Sequence, residues 1–224
     1  AAVAVIGDSY VEALMVPYEQ TLQGRLAERY KGKGKVYSFG ISGAQLAQYV
    51  AMGEYVWREF HPQGLVFVII GNDFDESLMK VRAGLHLFEK DSQDQSLKLI
   101  RTDYQPTVLE QILKHSATIR YLWSTVGIGK LTRFPQWFAR SEVVYVGNTS
   151  SEAAKERVHD SRMVIDAFFS ELSRRIGLEP ARIQFLVDGM RPELYSPESL
   201  ANARGSYFDL MRQYFIETAI LRGY

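Results

Sequence analysis

The tetrapeptide Gly7-Asp8-Ser9-Tyr10 follows the apolar run Val3 to Ile6, which puts a serine where a buried strand turns toward a helix. A serine hydroxyl in such a turn becomes a nucleophile once a base takes its proton. Free N–H groups at the same turn can stabilise an oxyanion or hold a phosphate. The plainer reading makes Ser9 an N-cap in an ordinary strand-to-helix turn. A second turn, Ser38-Phe39-Gly40-Ile41-Ser42-Gly43, offers a bare backbone N–H at Gly40, or simply a turn with Ser42 capping the next helix. A third, Gly71-Asn72-Asp73, offers a side-chain amide that can donate to a developing oxyanion, or an Asx-type turn. Asp8 and Asp73 are the neighbouring acids that support these positions. Each plain reading suffices alone, but none accounts for a serine, a glycine and an asparagine at the ends of three successive strands.

The elements that must position these residues are legible in the apolar pattern. Val3 to Ile6, Lys35 to Phe39, Leu65 to Ile70 and Ile183 to Val187 are short, β-branched-rich runs bounded by turn residues, and they read as strands. Helical spacing of Leu22, Leu26 and Tyr30 predicts a helix over 19–30, and Leu46, Tyr49, Val50, Tyr55 and Val56 predict another over 42–60. Residues 151–176 form a long amphipathic pattern with Ser151 as its expected N-cap and Gly177 as its stop. Ser196-Pro197 is expected to open a last helix, whose apolar face is Leu210, Met211, Tyr214, Phe215 and Ile220. Strands alternating with helical crossovers predict a three-layer α/β/α sandwich around a doubly wound, flavodoxin-like parallel sheet. From about 74 to 150 the rhythm breaks into a polar, aromatic-rich insertion, with a helix expected over 107–125 and aromatics at Trp123, Phe134, Trp137 and Phe138. One domain, 1–224, with this insertion is the expected organisation.

Composition narrows the partners. Lys+Arg and Asp+Glu each number 26, so no basic surplus points to nucleic acid. There is no cysteine, which excludes thiolate metal sites, disulfides and cysteine nucleophiles. The longest aliphatic and aromatic run, Leu65 to Ile70, is far short of the roughly 20 residues of a membrane span.

Gly7-Asp8-Ser9, Gly40 in Phe39-Gly40-Ile41-Ser42-Gly43, and Gly71-Asn72-Asp73 together resemble the first three sequence blocks of the SGNH (GDSL-like) hydrolase superfamily, in order and over residues 1 to about 75. The resemblance implies that Ser9 is the nucleophile and that the Ser9 N–H, the Gly40 N–H and the Asn72 side chain form the oxyanion hole. It implies an esterase, lipase, carbohydrate O-acetyl esterase or O-acetyltransferase acting on a small-molecule, glycan or lipid ester, with no metal or organic cofactor. The family's fourth block, Asp-x-x-His after a fifth strand, has no match in this chain. His61 precedes a strand, His86 and His115 lie in the insertion, and His159 shares a helix face with Glu156. Asp188, with Arg191 three residues on, stands at the end of the Ile183 strand but one strand early for a catalytic acid. The expectation is therefore that the fifth strand and its Asp-x-x-His lie beyond residue 224. Two further readings stay open: a non-catalytic module of the same fold binding acylated glycans or anions, and a flavodoxin-like phosphate site, though neither Gly-x-Gly-x-x-Gly nor a P-loop follows the first strand.

Overall fold

A computed structural model describes residues 2–81, 83–92, 96–103, 144–189, 197 and 203–224. The chain divides into two compact units, Ala1–Thr102 with Val144–Tyr224, and Asp103–Val143. The second unit is outside the described residues apart from Asp103, and so are the expected helix over 107–125, His115 and the aromatics Trp123, Phe134, Trp137 and Phe138.

The first unit is built on four parallel strands: β1 (Ala2–Gly7), β2 (Lys35–Gly40), β3 (Gly64–Ile69) and β8 (Ile183–Val187), in the order β2-β1-β3-β8. Register is tight at the carboxyl edge. Gly7 lies opposite Gly40, Ile6 opposite Phe67, and Ile69 opposite Val187. Among the described residues this unit's helices include α1 (Ser9–Glu12), α2 (Leu22–Arg29), α3 (Leu46–Phe60), α4 (Lys155–Arg175) and α5 (Tyr207–Leu221). Alternation along β3 separates the layers: Leu65, Phe67 and Ile69 are fully buried in the core that contains the inner faces of α3, α4 and α5. Val68, on the other face, borders a cleft with Val11 and Leu22 from the α1–α2 side. The first unit is thus an α/β/α sandwich with a doubly wound sheet.

Helix starts depart from the sequence pattern at two serines expected to cap them. The helix after β2 begins at Leu46, because Gln45, not Ser42, caps it through an acceptor 3.0 Å from the Gln48 N–H. Between them Gly43 takes a left-handed φ of 79° to turn the chain. Likewise α4 begins at Lys155, since Ser151 is held in extended pairing, its N–H donating to Val144 O and its carbonyl accepting from Tyr207 N. Pro197 and Ala203 are helical, in keeping with an opening at Ser196-Pro197, and a turn at Arg204 and Gly205 precedes α5, which starts at Tyr207 with Ser206 accepting from the Asp209 N–H. The insertion adds two antiparallel hairpins that periodicity did not announce, β4 (His86–Lys90) with β5 (Leu97–Arg101), and β6 (Tyr145–Val146) with β7 (Thr149–Ser150).

Aromatic packing between α4, α5 and β8 anchors the main core. Phe215 sits at ring-centroid distances of 4.9 Å from Phe169, 5.3 Å from Phe185 and 6.0 Å from Phe168, with no exposed surface. Replacing it with alanine removes those contacts and leaves a cavity that rigid neighbours cannot fill. Phe215→Ala is expected to cost about 3–5 kcal/mol in urea denaturation, with an unchanged denaturant slope.

Candidate active site

The nucleophile candidate is set by its own predecessor. Asp8, 4% exposed, caps α1: its Oδ1 accepts from the Tyr10 N–H at 2.9 Å and its Oδ2 accepts from the Ser9 hydroxyl at 3.2 Å. Ser9 itself is exposed at the carboxyl edge. Burial raises the Asp8 carboxyl above its ordinary range, against the opposing pull of the Tyr10 and Ser9 bonds. A single helical turn then ends at Ala13, in the left-handed region at φ 47°.

Gly40 meets this turn from the side. A Cβ on Gly40 would lie 2.2 Å from the Glu12 nitrogen and 2.7 Å from the Val11 carbonyl carbon, so α1 approaches β2 backbone to backbone. The Ile41 N–H donates to Gly7 O, and alternation along a parallel ladder therefore turns the Gly40 N–H to the side of β2 away from β1. What Gly40 supplies to this site is closeness of approach. The next residues lock the contact, as the Glu12 carboxylate accepts from the Ser42 N–H at 2.9 Å and from its hydroxyl. From α2, Gln23 donates to Val11 O at 2.7 Å.

The turn after β3 is held from below. Asp73 is completely buried; its Oδ2 accepts from the Ile70 N–H at 2.8 Å, and the Tyr49 hydroxyl reaches both its oxygens at 3.1 and 3.2 Å. Ser77 Oγ donates to the Asp73 carbonyl at 2.6 Å. Burial pushes the Asp73 carboxyl well above the usual carboxylate range, and the charges of Asp8 and Glu76 add to it. These bonds present Asn72 above them, half-buried, with Nδ2 donating to Glu76 Oε2 at 2.8 Å. Sequence reasoning did not find Glu76, nor Tyr49; Glu76 stands four positions after Asn72, a spacing that would have flagged it had a helical turn been anticipated there.

The hairpin β6–β7 borders the same edge. Asn148 Oδ1 accepts from the Tyr10 hydroxyl at 3.2 Å, and a Cβ on Gly71 would meet the Asn148 nitrogen at 3.4 Å. Arg157 of α4 ties this hairpin to the Asn72 turn: Nε donates to Asp75 at 2.9 Å, Nη1 to Ser150 O and Glu152 O at 3.0 and 2.8 Å, and Nη2 to Thr149 Oγ1, while its carbon lies 3.5 Å over the Tyr207 ring. From Tyr10 a cleft of about 330 Å³ runs between Val11, Leu22, Val68, Ile70 and Leu186.

The described histidines stand apart from Ser9. His61 is the left-handed C-cap of α3, which leads into the start of β3. His86 docks the β4–β5 hairpin on α3, with its N–H and Nδ1 at 2.8 and 2.9 Å from Gln48 Oε1. Burial, with Arg101 and Arg175 nearby, lowers its pKa. His159 is exposed on α4 beside Glu156. Asp188 follows β8, its N–H donating to Ile69 O, and Arg191 is outside the described residues. Among the described residues no three His, Cys, Asp or Glu side chains converge as metal ligands, and no helix is long and apolar enough to cross a membrane.

The three sequence blocks thus fall at the carboxyl ends of three adjacent parallel strands. Solved structures similar in outline include TesA (13% identity, 99% of this chain and 74% of that chain, TM-score 0.41) and AlinE4, an SGNH-hydrolase family esterase (13%, 99% and 80%, 0.34). The architecture rests on strand order and register. No protein-family model matches the chain, and no curated protein matches its sequence.

Two outcomes follow from this geometry. Gly40→Ala must push α1 off β2, and is expected to cost about 1–3 kcal/mol in chemical denaturation. A carboxyl raised on folding stabilises the fold below its unfolded pKa, and that contribution is lost as pH rises through the folded value. The stability deficit of Asp73→Asn relative to the native chain should therefore shrink between pH 4 and pH 8; a deficit that widens over that range would mean Asp73 is held as the anion.

Proposed function

We propose that this chain carries the nucleophile and oxyanion side of a serine ester hydrolase. The observation that carries the reading is the exposed Ser9 hydroxyl on the single turn after β1, with the amide of Asn72 rising from the turn after the adjacent strand β3 on the same edge. In this reading Ser9 Oγ attacks the ester carbonyl and its proton passes to a base, giving a tetrahedral intermediate. The Ser9 N–H and Asn72 Nδ2 then donate to the oxyanion, each such donor contributing about 2.7–4 kcal/mol to the transition state. Collapse expels the alcohol, which takes the proton back from that base, and leaves an acyl-serine for water, or for an acceptor alcohol, to resolve. Gly40 supports the site by admitting α1 at backbone contact. The apolar cleft from Tyr10 toward Leu186 suits an acyl group better than a charged one.

A specific observation favours a second reading, a non-catalytic module that binds acylated glycans or anions in the same crevice. In the structure the Ser9 hydroxyl donates to Asp8, and the bonds of His86 go to Gln48.

A fluorophosphonate probe separates the two. Covalent labelling at Ser9, lost in Ser9→Ala together with any residual p-nitrophenyl acetate turnover, is the expected result. Acetylated-oligosaccharide binding that survives Ser9→Ala, with no labelling of the native chain, would establish the binding module instead.

A further inference from the structure

A side-chain amide has two orientations that exchange oxygen for nitrogen, and only the nitrogen can donate to an oxyanion. In Asn72 the choice is made within the turn itself. Nδ2 donates to Glu76 Oε2 at 2.8 Å, whereas Oδ1 is buried and meets no donor among the described residues. Nothing on the Oδ1 side therefore resists a flip, and the orientation hangs on Glu76. An ionised carboxylate only accepts and repels an amide oxygen; a protonated carboxyl can also donate, and so tolerates Oδ1 where Nδ2 had been.

Glu76 is well fixed for this task. It opens a short 3-10 turn, Glu76–Leu78, with its N–H directed at Asn72 O (3.3 Å) and Asp75 Oδ1 (3.1 Å). Asp75 is in turn held by Arg157, with Nη2 2.8 Å from its Oδ2. We propose that Glu76 is the positioning residue of the oxyanion donor: its carboxylate engages one N–H of Asn72, fixes the amide with nitrogen toward Glu76, and leaves the second N–H for the substrate oxygen. This rests on the ester-hydrolase reading of the same site, and makes the donor a function of pH.

The charged and titratable groups around Glu76 are its neighbour Asp75, Asp73 beneath the turn, Asp8 at the head of α1, Tyr49 from α3, and Arg157 from α4 bound to Asp75. Burial raises the Glu76 carboxyl, the charges of Asp75 and Asp8 act in the same sense, and the Asn72 bond opposes them. Protonation therefore comes at higher pH than for a free glutamate. As pH falls through that point Asn72 loses its director, and the oxyanion donor weakens on the acid side.

The full chain, ¹⁵N-labelled, reports the coupling directly through the Asn72 side-chain amide signals, and fluorophosphonate labelling of Ser9 against pH reports its consequence. The Asn72 signals should titrate with a midpoint above the ordinary glutamate value, and that titration should vanish in Glu76→Gln. The labelling rate should share the same acid limb, also lost in Glu76→Gln. Glu76→Ala should slow labelling at neutral pH by up to about 10²-fold, with Glu76→Gln recovering part of the loss because its amide oxygen still accepts from Nδ2. An Asn72 amide that does not titrate, or titrates equally in Glu76→Gln, overturns the positioning role even if Ser9 labels normally. Failure of Ser9 to label while Asn72 still follows Glu76 overturns the hydrolase reading and leaves the Glu76–Asn72 coupling standing.

Discussion

A helix of four residues closes one turn and has no stability of its own, so the Ser9 turn exists only because its surroundings grip it. The tightest grip is the absence of a side chain at Gly40, which lets the Val11–Glu12 backbone close onto β2. Everything else at the site is built outward from that contact. Glu12 can reach Ser42 because α1 lies against β2, and Gln23 can reach the Val11 carbonyl because α2 is docked alongside. Tyr10, carried on the same turn, reaches the Asn148 hairpin. A side chain on a flexible loop would lose orientation with every fluctuation; here separate segments share the work of holding the turn that carries Ser9.

Beneath the crevice, polarity is concentrated where the sheet would otherwise be apolar. Asp8, Asp73 and Glu76 lie close enough for their charges to influence one another, with Tyr49 among them. Burying such groups costs stability unless each finds its bonds. Asp73 finds three donor contacts and becomes a strut, whereas Asn72 is left with an unmatched oxygen. The imbalance is informative: a turn optimised only for stability would satisfy Oδ1 before it satisfied a half-buried glutamate.

The parallel sheet was legible because its strands are apolar runs such as Leu65 to Ile70, in which Leu65, Phe67 and Ile69 enter the core and Val66 and Val68 are partly covered on the other face. Helix existence was legible for the same reason, but helix starts were not. Ser42 and Ser151 carry good capping chemistry, and both lost it to long-range partners, Glu12 in one case and the Val144–Tyr207 pairing in the other. The β4–β5 hairpin escaped because its anchors are Gln45 and Gln48, polar residues on a helix whose apolar stripe alone had been read. At the site, Ser9 and Asn72 stood out by type and by position after a strand. Gly40 stood out for its backbone, though a sequence does not say which way an N–H points; that follows from the ladder, in which Ile41 takes the Gly7 bond. Glu76 was silent, since its value depends on a short turn that no periodicity encodes.

Arg157 brings together pieces that the chain keeps far apart: Asp75, the Thr149–Glu152 stretch, and the face of Tyr207. Joining them closes loops of roughly eighty and fifty residues, an entropic cost that must be met before the contacts repay it. The Asn72 turn therefore receives its final support only when α4 and α5 have both docked. Crevice geometry is in this sense a readout of completed assembly: the sheet can form its ladder from nearer pieces, while the wall beside Ser9 waits for one guanidinium to find all of its partners.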